Sequence, residues 1–127
     1  MNKTKVLVVD DGVEFASTLA ERLQLRGYDA TAVYCAEDTF AAVKSEPPDV
    51  ILLDLKMPGM SGIEILMTVR TFAPDIYVIL LTGHMDIEKE IEGIRLDNFD
   101  YIMKPVDIKE LTVKIDKAAE KRKLGRE

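Results

Sequence analysis

Three short apolar runs interrupt this chain: Val6–Val9, Val50–Leu53 and Tyr77–Leu81. None alternates with polar residues. A strand with one wet face must alternate, so uninterrupted runs of this length mean burial on both faces, as in a parallel sheet covered by helices above and below. Two weaker strands are expected at Ala30–Tyr34 and Tyr101–Met103. Helical spacing fills the gaps. Phe15, Leu19 and Leu23 mark a first helix stopped by Gly27, and Ala36, Phe40 and Val43 mark a second closed by Pro47-Pro48. Ile63, Leu66, Met67 and Arg70 mark a third, Ile87, Ile91 and Ile94 a fourth, and Ile108, Leu111, Ile115 and Ala118 a fifth. Asp107 and Glu110 suit a capping box at the start of the last.

Strand and helix alternate throughout, which predicts a doubly wound α/β domain with a five-stranded parallel sheet and five helices on its two faces. The strand order 2-1-3-4-5 is taken from that fold class. A chain of 127 residues suits one such domain and can bury a core without disulfides. A net charge of −6 argues against direct nucleic-acid binding. The lone Cys35, the absence of a membrane-length apolar run and an N-terminus that turns acidic after a short apolar stretch lead to the expectation of a soluble cytoplasmic protein with no membrane attachment. The basic stretch from Lys117 reads as a solvated, fraying helix end or the start of a linker.

Chemistry collects at the carboxyl ends of the strands. The first ends in Asp10-Asp11, the third in Asp54, the fourth in Thr82 and the fifth in Lys104, followed by Pro105. In this fold class, sites form outside those ends where the winding reverses, between strands one and three. Asp10, Asp11 and Asp54 should therefore share a crevice flanked by Thr82 and Lys104. Like charges about 4 Å apart repel by about 4 kcal/mol at an effective dielectric near 20. Such a cluster either raises a pKa or binds a cation. A few hard oxygen ligands suit Mg²⁺, with Mn²⁺ as a substitute. Lys104 and the Thr82 hydroxyl add a positive charge and a hydrogen bond for phosphate oxygens. Together these residues suit transfer of a phosphoryl group to the Asp54 carboxylate.

The motifs VLVVDD (Val6–Asp11), LLDLKMPGMSG (Leu52–Gly62), LLTGH (Leu80–His84) and DYIMKP (Asp100–Pro105), in that order, resemble the receiver domain of bacterial two-component response regulators, a flavodoxin-like fold that includes the chemotaxis regulators. The resemblance runs from about Lys5 to Ala119. It implies that Asp54 is the phosphoacceptor and that Asp11 and Asp54 ligate Mg²⁺. Asp10 would ligate directly or through water, and the Lys56 backbone carbonyl would complete the set. Thr82 and Lys104 would contact the phosphoryl group, Tyr101 would turn inward as Thr82 moves, and the Lys104–Pro105 bond would be cis. A histidine kinase or histidine phosphotransfer protein would be the donor. The fourth helix, fifth strand and fifth helix would form the switching face toward an effector protein or effector domain. Residues 1–122 would be the receiver and 123–127 a charged tail or linker start. Such a domain is a signalling device with self-phosphotransfer and autodephosphorylation, not an enzyme acting on a free substrate. Homodimerisation stays open.

One departure is Asp97-Asn98 where the family commonly has Gly-Ala; Asn tolerates the left-handed backbone a glycine would supply. His84 reads as a loop histidine that, with Lys56, tunes phosphoryl lifetime in the family. Met57, Met60 and Met67 read as packing residues, and Asp86, Glu88, Glu90 and Glu92 as a solvated helix face. A haloacid-dehalogenase-type phosphatase would need Asp-x-Asp after strand one, which Asp10-Asp11 does not provide. An FMN carrier would need a phosphate loop there, which DDGVE would repel.

Overall fold

The computed structural model describes residues 3–83 and 99–125. Five parallel strands, β1 (Lys5–Val9), β2 (Asp29–Val33), β3 (Val50–Asp54), β4 (Tyr77–Thr82) and β5 (Phe99–Met103), pair in the order β2-β1-β3-β4-β5. Four helices lie among the described residues: α1 (Val13–Leu25), α2 (Ala36–Ser45), α3 (Gly62–Phe72) and α4 (Ile108–Gly125). The helix expected around Ile87–Ile94, together with His84, the acidic row from Asp86 to Glu92 and Asp97-Asn98, falls outside the described residues. No described helix is long and apolar enough to cross a membrane.

The apolar runs are continuous because each strand feeds two cores. Val6, Val8, Val50, Leu52, Tyr77, Ile79 and Leu81 face one cluster, closed by α1 and α4 through Leu19, Leu23, Leu111 and Ile115. Leu7, Val9, Ile51, Leu53, Val78 and Leu80 face the other, closed by α2 and α3 through Val43, Ile65, Leu66 and Val69. Successive side chains on a strand point to opposite faces, so a two-sided core demands apolar residues at every position.

Local signals end the helices. At the end of α1, Gly27 takes φ +93 and its N–H donates to the Gln24 carbonyl at 3.1 Å, while Tyr28 N–H donates to the Leu23 carbonyl at 3.1 Å. This is a Schellman closure that satisfies two otherwise orphaned carbonyls. Ser61 caps α3 by accepting from Glu64 N–H at 3.2 Å. Asp107 caps α4 by accepting from Lys109 N–H at 2.9 Å, one residue short of the Glu110 N–H that the expected capping box uses, and among the described residues Glu110 makes no return bond.

Three expectations are corrected. β2 begins one residue early and stops before Tyr34, whose hydroxyl pairs with Ser17 Oγ at 2.8 Å. α3 buries Gly62, Ile65, Leu66 and Val69, so its inner face is rotated from the expected one and Met67 lies 47% exposed; Met57 and Met60 do pack against the core. The basic stretch from Lys117, expected to be solvated, is helical as far as Gly125 and is partly packed: Arg122, only 7% exposed, pairs with Asp49 at 2.5 Å and Asp75 at 3.2 Å.

Candidate functional site

Each candidate side chain rests on a strand end. Asp10 directly follows β1, and its backbone N–H donates to the Val33 carbonyl of β2 at 3.2 Å. Its Oδ1 accepts from Gly12 N–H at 2.9 Å, which turns the chain into α1. Asp54 is the last residue of β3, and the ladder continues past it through Leu55 N–H to the Leu81 carbonyl at 3.1 Å. Thr82 ends β4, and its carbonyl accepts from Lys104 N–H at 2.7 Å, placing Lys104 beside it. The Lys104–Pro105 peptide bond is cis, as expected. Behind Asp54, the N–H of Gly62 donates to the Leu55 carbonyl at 2.8 Å, drawing the start of α3 against the strand end.

These placements bring together the three acids. Oxygens of Asp10, Asp11 and Asp54 lie within 4.8 Å of one another. Asp10 and Asp54 are buried, and Asp11 is exposed at the rim. The Lys104 ammonium bridges the buried pair, 3.3 Å from Asp10 Oδ2 and 3.4 Å from Asp54 Oδ1. A cavity of about 530 Å³ opens beside them, lined by Asp54, Leu55, Lys56, Thr82, Gly83 and Lys104. Tyr101 is partly buried against the α2–α3 side of the core and does not line that cavity.

Burial pushes the Asp54 carboxyl above its ordinary value, and the Asp10 charge adds to the push. Lys104 and the Lys56 N–H, 3.4 Å from Asp54 Oδ1, pull the other way without cancelling it. An added cation would relieve the same repulsion. Three hard carboxylate ligands close together, one of them opening onto the cavity, match a small divalent ion that keeps several waters, so the donor set fits Mg²⁺.

Two contributors escaped the sequence reading. Phe15, read there only as part of the α1 core face, has its ring under the Lys104 ammonium, 4.7 Å from centroid to Nζ. Gly62 packs against the backbone of Asp54: a Cβ there would lie 2.4 Å from the Asp54 carbonyl oxygen. A glycine carries no hydropathy, so helical periodicity is blind to it; its place in the motif LLDLKMPGMSG was the available signal.

Comparison with known proteins agrees with this geometry. The family model of the response regulator receiver domain matches residues 6–116. The chain is 35% identical over 118 residues to the DNA-binding transcriptional regulator NtrC of Proteus hauseri, a match covering 93% of this chain and 25% of that protein. It is 34% identical over 110 residues to the probable transcriptional regulatory protein TcrX of Mycobacterium tuberculosis, covering 87% of this chain and 47% of the relative. The chain thus spans between a quarter and half of the length of these relatives. Among solved structures, a receiver domain protein from Clostridium thermocellum superposes with a TM-score of 0.87 at 29% identity, covering 95% of this chain and 98% of that one. The receiver domain of NtrX from Brucella abortus gives 0.82 at 28% identity, covering 91% and 98%. The chain belongs to the response regulator receiver domain family. It is a signalling domain with the flavodoxin-like receiver architecture.

Proposed function

We propose that this domain accepts a phosphoryl group on Asp54 from a phosphohistidine of a sensor kinase or phosphotransfer protein in a phosphorelay. The observation that carries the reading is the Lys104 ammonium set between Asp10 and Asp54 at the mouth of an open cavity, with Asp11 at its rim. An Asp54 oxygen forms the new O–P bond while the donor N–P bond breaks, and the released imidazole takes up a proton. Lys104 and Thr82 contact the phosphoryl oxygens as charge shifts toward the leaving nitrogen. Asp11, Asp54 and the Lys56 carbonyl would hold Mg²⁺, with Asp10 bound directly or through water, and the ion would supply charge that offsets the repulsion between carboxylate and phosphate. Water later hydrolyses the acyl phosphate and returns Asp54 to its carboxylate.

The output is a population shift. Phosphorylation draws Thr82 inward, Tyr101 follows, and the surface formed by the helix expected around Ile87–Ile94, β5 and α4 favours an effector protein or effector domain that binds the shifted form better. Residues 1–122 act as the receiver unit, in the cytoplasm, with no direct contact to nucleic acid. The longer relatives named above, both transcriptional regulators, support an output of that kind.

The test is incubation with acetyl phosphate with and without Mg²⁺, read by intact mass beside an Asp54→Ala variant. A Mg²⁺-dependent gain of one phosphoryl group, absent in the variant, is expected. No gain from acetyl phosphate or from a phosphohistidine donor would overturn the proposal.

A further inference from the structure

Lys104 has a third neighbour besides its two carboxylates. Its ammonium sits over the Phe15 ring, 4.7 Å from the centroid, within the range where a ring's negative face attracts a cation. The two ionic contacts, 3.3 and 3.4 Å, are longer than tight charge-assisted hydrogen bonds. A lysine head on a flexible stem is poorly fixed by two such contacts alone. The ring supplies the missing wall. Phe15 is itself anchored, partly buried against the α1–α4 core. It lies in the first turn of α1, just after the turn in which Gly12 N–H donates to Asp10 Oδ1, so ring and carboxylate ride on one short piece of backbone.

We infer that Phe15 is a positioning residue for Lys104. Its ring holds the ammonium at the mouth of the Asp54 cavity when the carboxylates turn to a metal ion and an incoming phosphoryl group. The inference rests on the phosphoryl-acceptor reading above and adds to it a residue that touches neither phosphate nor metal. The bland alternative is that Phe15 only fills the core. Leucine and methionine would then replace it at no cost to phosphorylation, whereas the positioning role needs an aromatic face.

The experiment compares wild type with Phe15→Leu, Phe15→Met and Phe15→Tyr. Phosphorylation by acetyl phosphate with Mg²⁺ is followed by intact mass, and the Lys104 Cε protons are followed by NMR. The Leu and Met variants should accept the phosphoryl group about 3- to 10-fold more slowly, the size of a cation–π contact at a partly exposed site. The Tyr variant should recover most of the rate. Ring currents should shift the Lys104 Cε protons upfield in the wild type and in Phe15→Tyr, and the shift should vanish in Phe15→Leu. A wild-type rate in both aliphatic variants, or no upfield shift in the wild type, overturns the inference and leaves the acceptor reading standing. A wild-type protein that accepts nothing from acetyl phosphate or phosphohistidine overturns the acceptor reading, and the inference falls with it.

Discussion

Gly62 offers the most direct test of how the fold presents Asp54. An alanine Cβ there would lie 2.4 Å from the Asp54 carbonyl oxygen, 2.8 Å from Leu55 Cα and 3.1 Å from the Asp54 carbonyl carbon. All three are backbone atoms, so no side chain can swing aside. The start of α3 must retreat from β3, or the end of β3 must bend. Overpacking of this kind costs about 1–3 kcal/mol, and contact with backbone argues for the upper part. Alanine's helix preference returns less than about 1 kcal/mol at a first helical position. The net loss is roughly 2 kcal/mol, which for a domain of this size lowers the melting temperature by about 8 °C. Gly83→Ala is the control, since a Cβ there meets nothing within 4 Å. Calorimetry on both variants measures the difference. On the proposed function, acceptance of the phosphoryl group at low temperature, where both are folded, should also fall in Gly62→Ala, because the strand end carrying Asp54 has moved. A melting temperature within about 2 °C of wild type would refute the steric argument. A lower melting temperature with unchanged acceptance would refute the link from Gly62 to Asp54.

Asp54→Asn should stabilise the domain at neutral pH. The raised Asp54 carboxyl binds a proton more tightly folded than unfolded, so its ionised form costs stability as pH rises above the ordinary carboxylate range. The gain from asparagine should shrink as pH falls back through that range, as urea unfolding at pH 7 and pH 4 would show. Arg122→Met should cost about 1–2 kcal/mol by urea unfolding, because charge-assisted bonds to Asp49 and Asp75 are lost while the aliphatic stem is replaced; the exposure of Asp75 keeps the figure modest. Gly27→Ala should cost about 1 kcal/mol, since φ +93 is strained for a side chain, and Gly27→Asn should lose less; thermal melts would rank them.

The parts of this molecule written in contiguous residues were the legible ones. Burial on both faces prints itself directly on Val50–Leu53 and Tyr77–Leu81, and the topology that follows carries Asp10, Asp54, Thr82 and Lys104 to the same sheet edge. What failed depends on partners distant in sequence or on atoms without hydropathy. Met67 seemed a core residue because the apolar count around α3 fits two neighbouring faces; the contact that selects one is Gly62 against bare backbone. Arg122 seemed solvated because its neighbours are polar; its partners, Asp49 and Asp75, precede β3 and β4. The Phe15 ring under Lys104 joins α1 to the end of β5, and no local pattern announces it.

Asp49 also links β1 to the last turn of α4. One carboxylate oxygen accepts from the Lys5 backbone N–H at 2.8 Å, and the other accepts from Arg122 Nη1 at 2.5 Å. The first strand and the last helical turn therefore meet at one point, on the pole of the sheet away from the acidic crevice. A side chain rather than a peptide bond thus joins the start of β1 to the last turn of α4. Domains with adjoining ends tolerate insertion into other proteins and relocation of their termini. A tag or a short joining peptide attached at this pole would leave the edge that carries Asp10, Asp54 and Lys104 unobstructed.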